Sequence, residues 1–205
     1  MKEKFKICLT MAGAVSAGAY TAGVLDYLIE TLDLWQAAKD ENIKLGINHD
    51  DYDHSIPMHD VEIDIVSGTS AGGIAATLMF LSLLSDRTNP VDKKSFDSDN
   101  VKYNLQYESW VEMCRDYRYN KDPHLILKDL LSTDDLNNPD ITSLLNDSIL
   151  DKIADNAFRK RFYKPLPVYF SPDVDLVLTF TNLEGLRFNL NFEGNTNHDL
   201  SLIHI

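Results

Sequence analysis

Val61-Glu-Ile-Asp-Ile-Val-Ser-Gly-Thr-Ser-Ala-Gly-Gly-Ile74 carries an apolar strand pattern into GxSxG and straight out into an apolar helix. Val61, Ile63, Ile65 and Val66 read as a buried strand, and Ile74 to Leu84 is nearly continuous apolar sequence of helical length. A serine hydroxyl is a poor nucleophile until a turn exposes it beside a base. A sharp strand-to-helix elbow provides that exposure, and Gly68 and Gly72 leave room where a side chain would strike neighbouring backbone, with Gly73 extending the clearance. At ordinary glycine usage the bare pattern arises by chance in about one chain in fifteen of this length. The flanking strand and helix are therefore what make Ser70 a candidate nucleophile rather than an incidental serine in a turn.

A second constellation lies near the start. Phe5 to Met11 reads as a strand, Ala12-Gly-Ala-Val-Ser-Ala-Gly18 as a tight loop of small residues, and Ala19 to Leu32 as a helix. Such a loop presents bare backbone N–H groups. Opposite a serine nucleophile they could hold the oxyanion of a tetrahedral intermediate, an interaction contributing about 3–4 kcal/mol to the transition state. Gly13 and Gly18 permit the close approach. They also have Walker spacing, but Ala19 stands where the phosphate-binding lysine is required, which excludes that nucleotide site.

With both elements in hand, the chain resembles the patatin-like phospholipases. That family carries an N-terminal strand, a loop of the type GGGxRG followed by AYxxGVL, and then a GxSxG elbow; here GAVSAGAYTAGVL spans Gly13 to Leu25 and GTSAGG spans Gly68 to Gly73. The resemblance implies a three-layer α/β/α fold with a mixed central sheet and a helical insertion after the nucleophile helix. It implies a Ser–Asp dyad that hydrolyses acyl esters of lipids without histidine, metal or organic cofactor. Carried over by position, Ser70 matches the nucleophile and the backbone of Gly13 and Ala14 matches the oxyanion loop. Leu176 to Gly185, followed by Leu186 to Phe192, looks like the later family strand ending in a Thr-Asn turn before a hairpin partner.

Two features depart from the family pattern. Ala17 replaces the usual arginine before the last loop glycine, and Ala14 and Val15 replace two loop glycines. The family's base aspartate lies in an Asp-Gly dipeptide far downstream, and no Asp-Gly occurs in this chain. Leu200-Ser-Leu-Ile-His-Ile205 is what a widely used transposase adapter encodes in frame (CTG TCT CTT ATA CAC ATC), so a non-native tail is expected over 200–205. On that expectation 1–199 is the N-terminal part of one catalytic domain, with the dyad aspartate beyond it and little activity in the fragment itself.

Composition bounds the alternatives. The 205 residues are 44% hydrophobic and carry a net charge of −13, enough apolar sequence for one core and the wrong sign for nucleic acid. The basic run Arg159-Lys-Arg-Phe-Tyr-Lys164 suits local peripheral contact with lipid headgroups, although a solvated helix end is the simpler reading. Met1 to Ala19 imitates a secretory leader, but Lys6 interrupts its apolar stretch and Gly13, Ser16 and Gly18 fall where leucine-like residues belong. Cys8, in an expected buried strand, and Cys114 form no disulfide framework, which fits a reducing cytoplasm.

The segment Lys39 to Asp60, with His49, His54 and His59 among carboxylates, reads as a solvated loop rather than a metal site, because no regular spacing converges its ligands. Ser85 to Asn104 has the composition of a surface excursion. Helices are expected over Tyr107 to Tyr117, His124 to Leu131 and Ser148 to Phe158, and Pro165, Pro167 and Pro172 mark the return to strand at Val174. The preferred reading is a lipid acyl hydrolase acting on a lipid or acyl-ester substrate. Its rivals are a non-catalytic lipid-binding or regulatory module on the same fold, and an α/β-hydrolase with a Ser–His–Asp triad.

Overall fold

The computed structural model describes residues 4–14, 17–90, 104–111, 133–137, 148–159, 164–179, 181, 186–192 and 195–203. In chain order the elements are β1 (Lys4–Met11), α1 (Gly18–Leu45), β2 (Asp60–Thr69), α2 (Ala71–Ser85), α3 (Leu105–Trp110), a single 3-10 turn (Asp134–Asn137), α4 (Ser148–Phe158), β3 (Phe170–Thr179), β4 (Leu186–Phe192) and β5 (Asn195–Ile203).

Strands β1, β2 and β3 form a parallel sheet with β2 in the middle. Parallel pairing brings the carboxyl ends of the strands to one edge. Met11 stands beside Gly68, and Thr69 beside Thr179 with their hydroxyls 2.9 Å apart, so the loop after β1, the elbow after β2 and the end of β3 meet there. Open α/β sheets place their ligand crevices at this edge. Strands β4 and β5 pair antiparallel with each other in a separate sheet, so β4, expected as the hairpin partner of β3, pairs with β5 instead. Leu200 to Ile203 lie within β5.

One face of the parallel sheet carries the core. Val61, Ile63 and Val66 of β2 pack with Leu25, Ile29 and Leu32 of α1 and with Ala75, Ala76, Met79 and Leu83 of α2. The two alanines are fully buried, which lets α2 lie close on the strands. Ile65 departs from the expected buried set and is 38% exposed. The cause is a register shift in β2 between Ile63 and Ile65, which turns Val66 into the core and Ile65 to the opposite face. Cys8, paired with Ile65 on that face, is exposed as well, contrary to the buried position expected from sequence.

Helix α1 is longer than expected, continuing to Leu45 through residues read as a polar loop. Its buried face runs Gly18, Ala22, Leu25, Ile29 and Leu32 at helical spacing and then changes chemistry to Lys39 and Asn42. The Lys39 ammonium bonds the Asp60 carboxylate at 3.1 Å and the His59 carbonyl at 3.3 Å, and lies 5.1 Å over the Trp35 ring. The Asn42 amide donates to the Asp53 carbonyl and accepts from the Asp53 N–H, both at 2.9 Å. Polar side chains thus continue the buried stripe because each finds a partner. Gly46, at φ 81°, ends the helix in a conformation that favours glycine.

The segment after α2 closes on itself where it is described. Thr88 bridges Asn104, and Asn104 caps α3 by accepting from the Tyr107 N–H at 2.8 Å. Buried Arg87 ties the region together by donating to Glu108 and to the Asn156 carbonyl of α4, both at 2.9 Å. α3 ends at Trp110, while the rest of the expected helix to Tyr117 and the His124 to Leu131 helix lie outside the described residues. α4 matches its expected bounds, and β3 begins at Phe170, four residues before the expected return. Pro172 fits inside β3 because the register against β2 shifts between Phe170 and Asp175.

Candidate active site

The elbow is built from backbone constraints. Ser70 follows β2 directly and sits at the N-cap of α2 with φ 54° and ψ −125°, a strained conformation for a residue with a side chain. Such strain costs on the order of 1–3 kcal/mol and persists only where surrounding structure enforces it. Its side chain makes no cap to the helix and is exposed. The free N–H groups and dipole of the α2 N-terminus favour negative charge beside it.

The glycines show what enforces the turn. A Cβ on Gly68 would lie 2.4 Å from the Gly72 carbonyl oxygen, and one on Gly72 would lie 2.4 Å from the Met11 oxygen and 2.7 Å from that of Ala12. Gly73 is less constrained, its Cβ position being 3.2 Å from the Gly68 oxygen. The elbow is therefore closed by Gly68 and pressed onto the end of β1 by Gly72. Gly13 completes the contact, because a Cβ there would lie 3.1 Å from the Ser70 Cβ and 3.7 Å from its Oγ. Two motifs 57 positions apart are packed backbone to backbone. Among the described residues, the N–H groups of Gly13 and Ala14 have no hydrogen-bond partner, and Gly13 lies against the serine.

The histidines near β2 are placed elsewhere. His59 immediately precedes β2 and Ser70 immediately follows it. A ten-residue strand at about 3.3 Å per residue separates them by roughly 30 Å. His59 meets the Trp35 ring edge-on at 4.9 Å, His54 packs on Tyr52 at 4.7 Å, and His49 Nδ1 accepts from the Asp51 N–H. All three belong to the amino end of the sheet. His124 and the side chain of His198 lie outside the described residues. Among the described residues no three His, Cys, Asp or Glu side chains converge as metal ligands.

Two features at the seam between α1 and α3 had no readable signal in sequence. The ring of Trp110 lies directly on Gly18, where a Cβ would come within 2.2 Å of Cζ3. Asp26, one α1 face further along, has its carboxyl pushed up to about 6 by burial, partly offset by a hydrogen bond from Asn104 and reinforced by Glu30. At 1.5 Å per residue it stands about 12 Å along α1 from Gly18, which makes it a stability group of the seam rather than part of the elbow.

The family model described as patatin-like phospholipase matches residues 9–204, from β1 through β5. The uncharacterized protein y4iI of Sinorhizobium fredii is 32% identical over 198 residues, which is 94% of this chain and 26% of that relative. The chain thus spans about a quarter of the length of the curated relative it matches. No solved structure matches. Among the described residues no helix is long and apolar enough to cross a membrane.

Proposed function

This chain belongs to the patatin-like phospholipase family, and from that premise we propose that it supplies the nucleophile half of a serine lipid acyl hydrolase. The family acts on lipids, which makes a lipid or acyl ester the substrate class. Ser70 attacks the ester carbonyl. The N–H groups of Gly13 and Ala14 receive the oxyanion, and an aspartate outside this chain takes the serine proton, so the 205 residues alone turn over little or no ester. The reaction runs without a metal or organic cofactor, in the cytoplasm or at the surface of a membrane.

The observation that carries the reading is the strained Ser70 packed against Gly13. The strain and the packing together support a hydroxyl held at the apex of the turn with backbone donors beside it. A triad built on His49, His54 or His59 is disfavoured by the length of β2, which stands between those rings and the serine. The non-catalytic lipid-binding reading draws on Ala17 and the missing Asp-Gly. Hydrolysis of a chromogenic short-chain ester by the longer polypeptide separates the two. Turnover that disappears in Ser70→Ala, with the thermal midpoint nearly unchanged, supports the hydrolase. No turnover in a folded, intact protein supports the binding module.

A further inference from the structure

The segment after β1 must hold its donors to within a few tenths of an ångström to stabilise an oxyanion, yet Ala12, Gly13 and Ala14 carry little side chain with which to pack. Its entry is fixed by Gly72, which seats the Met11 and Ala12 carbonyls against the start of α2. Its exit is Gly18, the buried first residue of α1. There the indole of Trp110 takes the space of a side chain, with Cζ3, Cη2 and Cε3 at 2.2, 2.3 and 2.7 Å from where a Cβ would stand.

Trp110 is itself held firmly. It packs against the main core and also against the smaller cluster of Leu78, Leu105 and Ala157, so it joins α1 to α2 and α4. The platform beneath it is pinned by fully buried Gln106, whose amide donates to the Ala75 carbonyl of α2 at 2.8 Å, and by the Arg87–Glu108 pair. The Nε1 of Trp110 is buried and has no partner among the described residues. An unpaired buried donor opposes folding, so the indole is present for its flat area and not for its N–H.

We propose that Trp110 is a positioning residue for the oxyanion loop: pressed on Gly18, it fixes the start of α1 and thereby holds the Gly13 and Ala14 N–H groups opposite Ser70. The catalytic half of this statement rests on the hydrolase reading, whereas the clamp itself does not. Because shape is what matters, a phenyl ring should replace the indole, while a small side chain should not.

The test combines hydrogen exchange on the 205-residue chain with ester turnover by the longer polypeptide, for wild type, Trp110→Phe, Trp110→Leu and Trp110→Ala. The expected result is tenfold or faster exchange over 21–25, the first bonded amides of α1, in Trp110→Ala and Trp110→Leu, with exchange in β2 unchanged and Trp110→Phe within about threefold of wild type. Turnover should then show kcat lowered at least tenfold with KM within about twofold in the Leu and Ala variants, and near wild type in the Phe variant. Should the Ala variant not fold, the Leu variant decides. Exchange over 21–25 that stays at the wild-type rate, or rises equally throughout the chain, overturns the clamp. Faster exchange at the start of α1 with unchanged kcat overturns the positioning role. Absence of turnover in wild type counts against the Ser70 reading alone, and the exchange data still judge the clamp.

Discussion

Asp26 offers a quantitative check on the α1–α3 seam. Its carboxyl titrates near 3.8 in the unfolded chain and is pushed up to about 6 in the fold, chiefly because burial disfavours the charged form. A folded-state value above the unfolded one means that the native state prefers the protonated acid. The associated stability is therefore fully present below 3.8 and is lost as the pH rises through about 6. At about 1.4 kcal/mol per pH unit the full effect is about 3 kcal/mol, and residual solvent contact lowers the expectation to about 1–3 kcal/mol at pH 8. Asp26→Asn removes the charge and keeps an acceptor for Asn104. Urea denaturation followed by circular dichroism should find the variant more stable by that amount at pH 8, with the advantage shrinking steadily toward pH 4.5. A difference that does not change with pH, or an asparagine variant less stable at pH 8, would refute the burial argument.

The elbow and the histidines give further tests. Gly72→Ala drives a methyl group to 2.4 Å from the Met11 carbonyl, and because backbone on both sides must move, it should cost about 1–3 kcal/mol and abolish turnover; a thermal midpoint and rate matching wild type would contradict the packing described. Replacing His49, His54 or His59 by alanine in the longer polypeptide should leave the rate within a few-fold, since loss of a true base costs on the order of 10²-fold or more. A larger loss at one of them, with folding intact, would place a base where β2 now separates it from Ser70.

What could be read in advance follows from how local each signal is. The elbow was legible because its glycines, its serine and its apolar flanks lie within one short segment, and the same holds for the strand, loop and helix at the start of the chain. The second half of α1 was not legible, because Lys39 and Asn42 look solvent-facing until Asp60, His59 and Asp53 supply their partners. Ile65 was misplaced by a one-residue register shift, which alternation cannot register. Trp110 fell within the helix expected over Tyr107 to Tyr117, but its contact with Gly18 joins residues 92 positions apart and leaves no periodic trace. The pairing of β4 with β5 likewise depends on which strand edge is free in three dimensions.

The most direct measurement is covalent trapping of the nucleophile. The longer polypeptide is incubated with a fluorophosphonate, digested and mapped by mass spectrometry, with Ser70→Ala in parallel. The account predicts a single phosphonyl adduct on Ser70 in wild type, accompanied by loss of ester turnover, and no adduct at that peptide in the variant. Turnover that is lost while the adduct maps to a different residue, or that survives intact in Ser70→Ala, would contradict it.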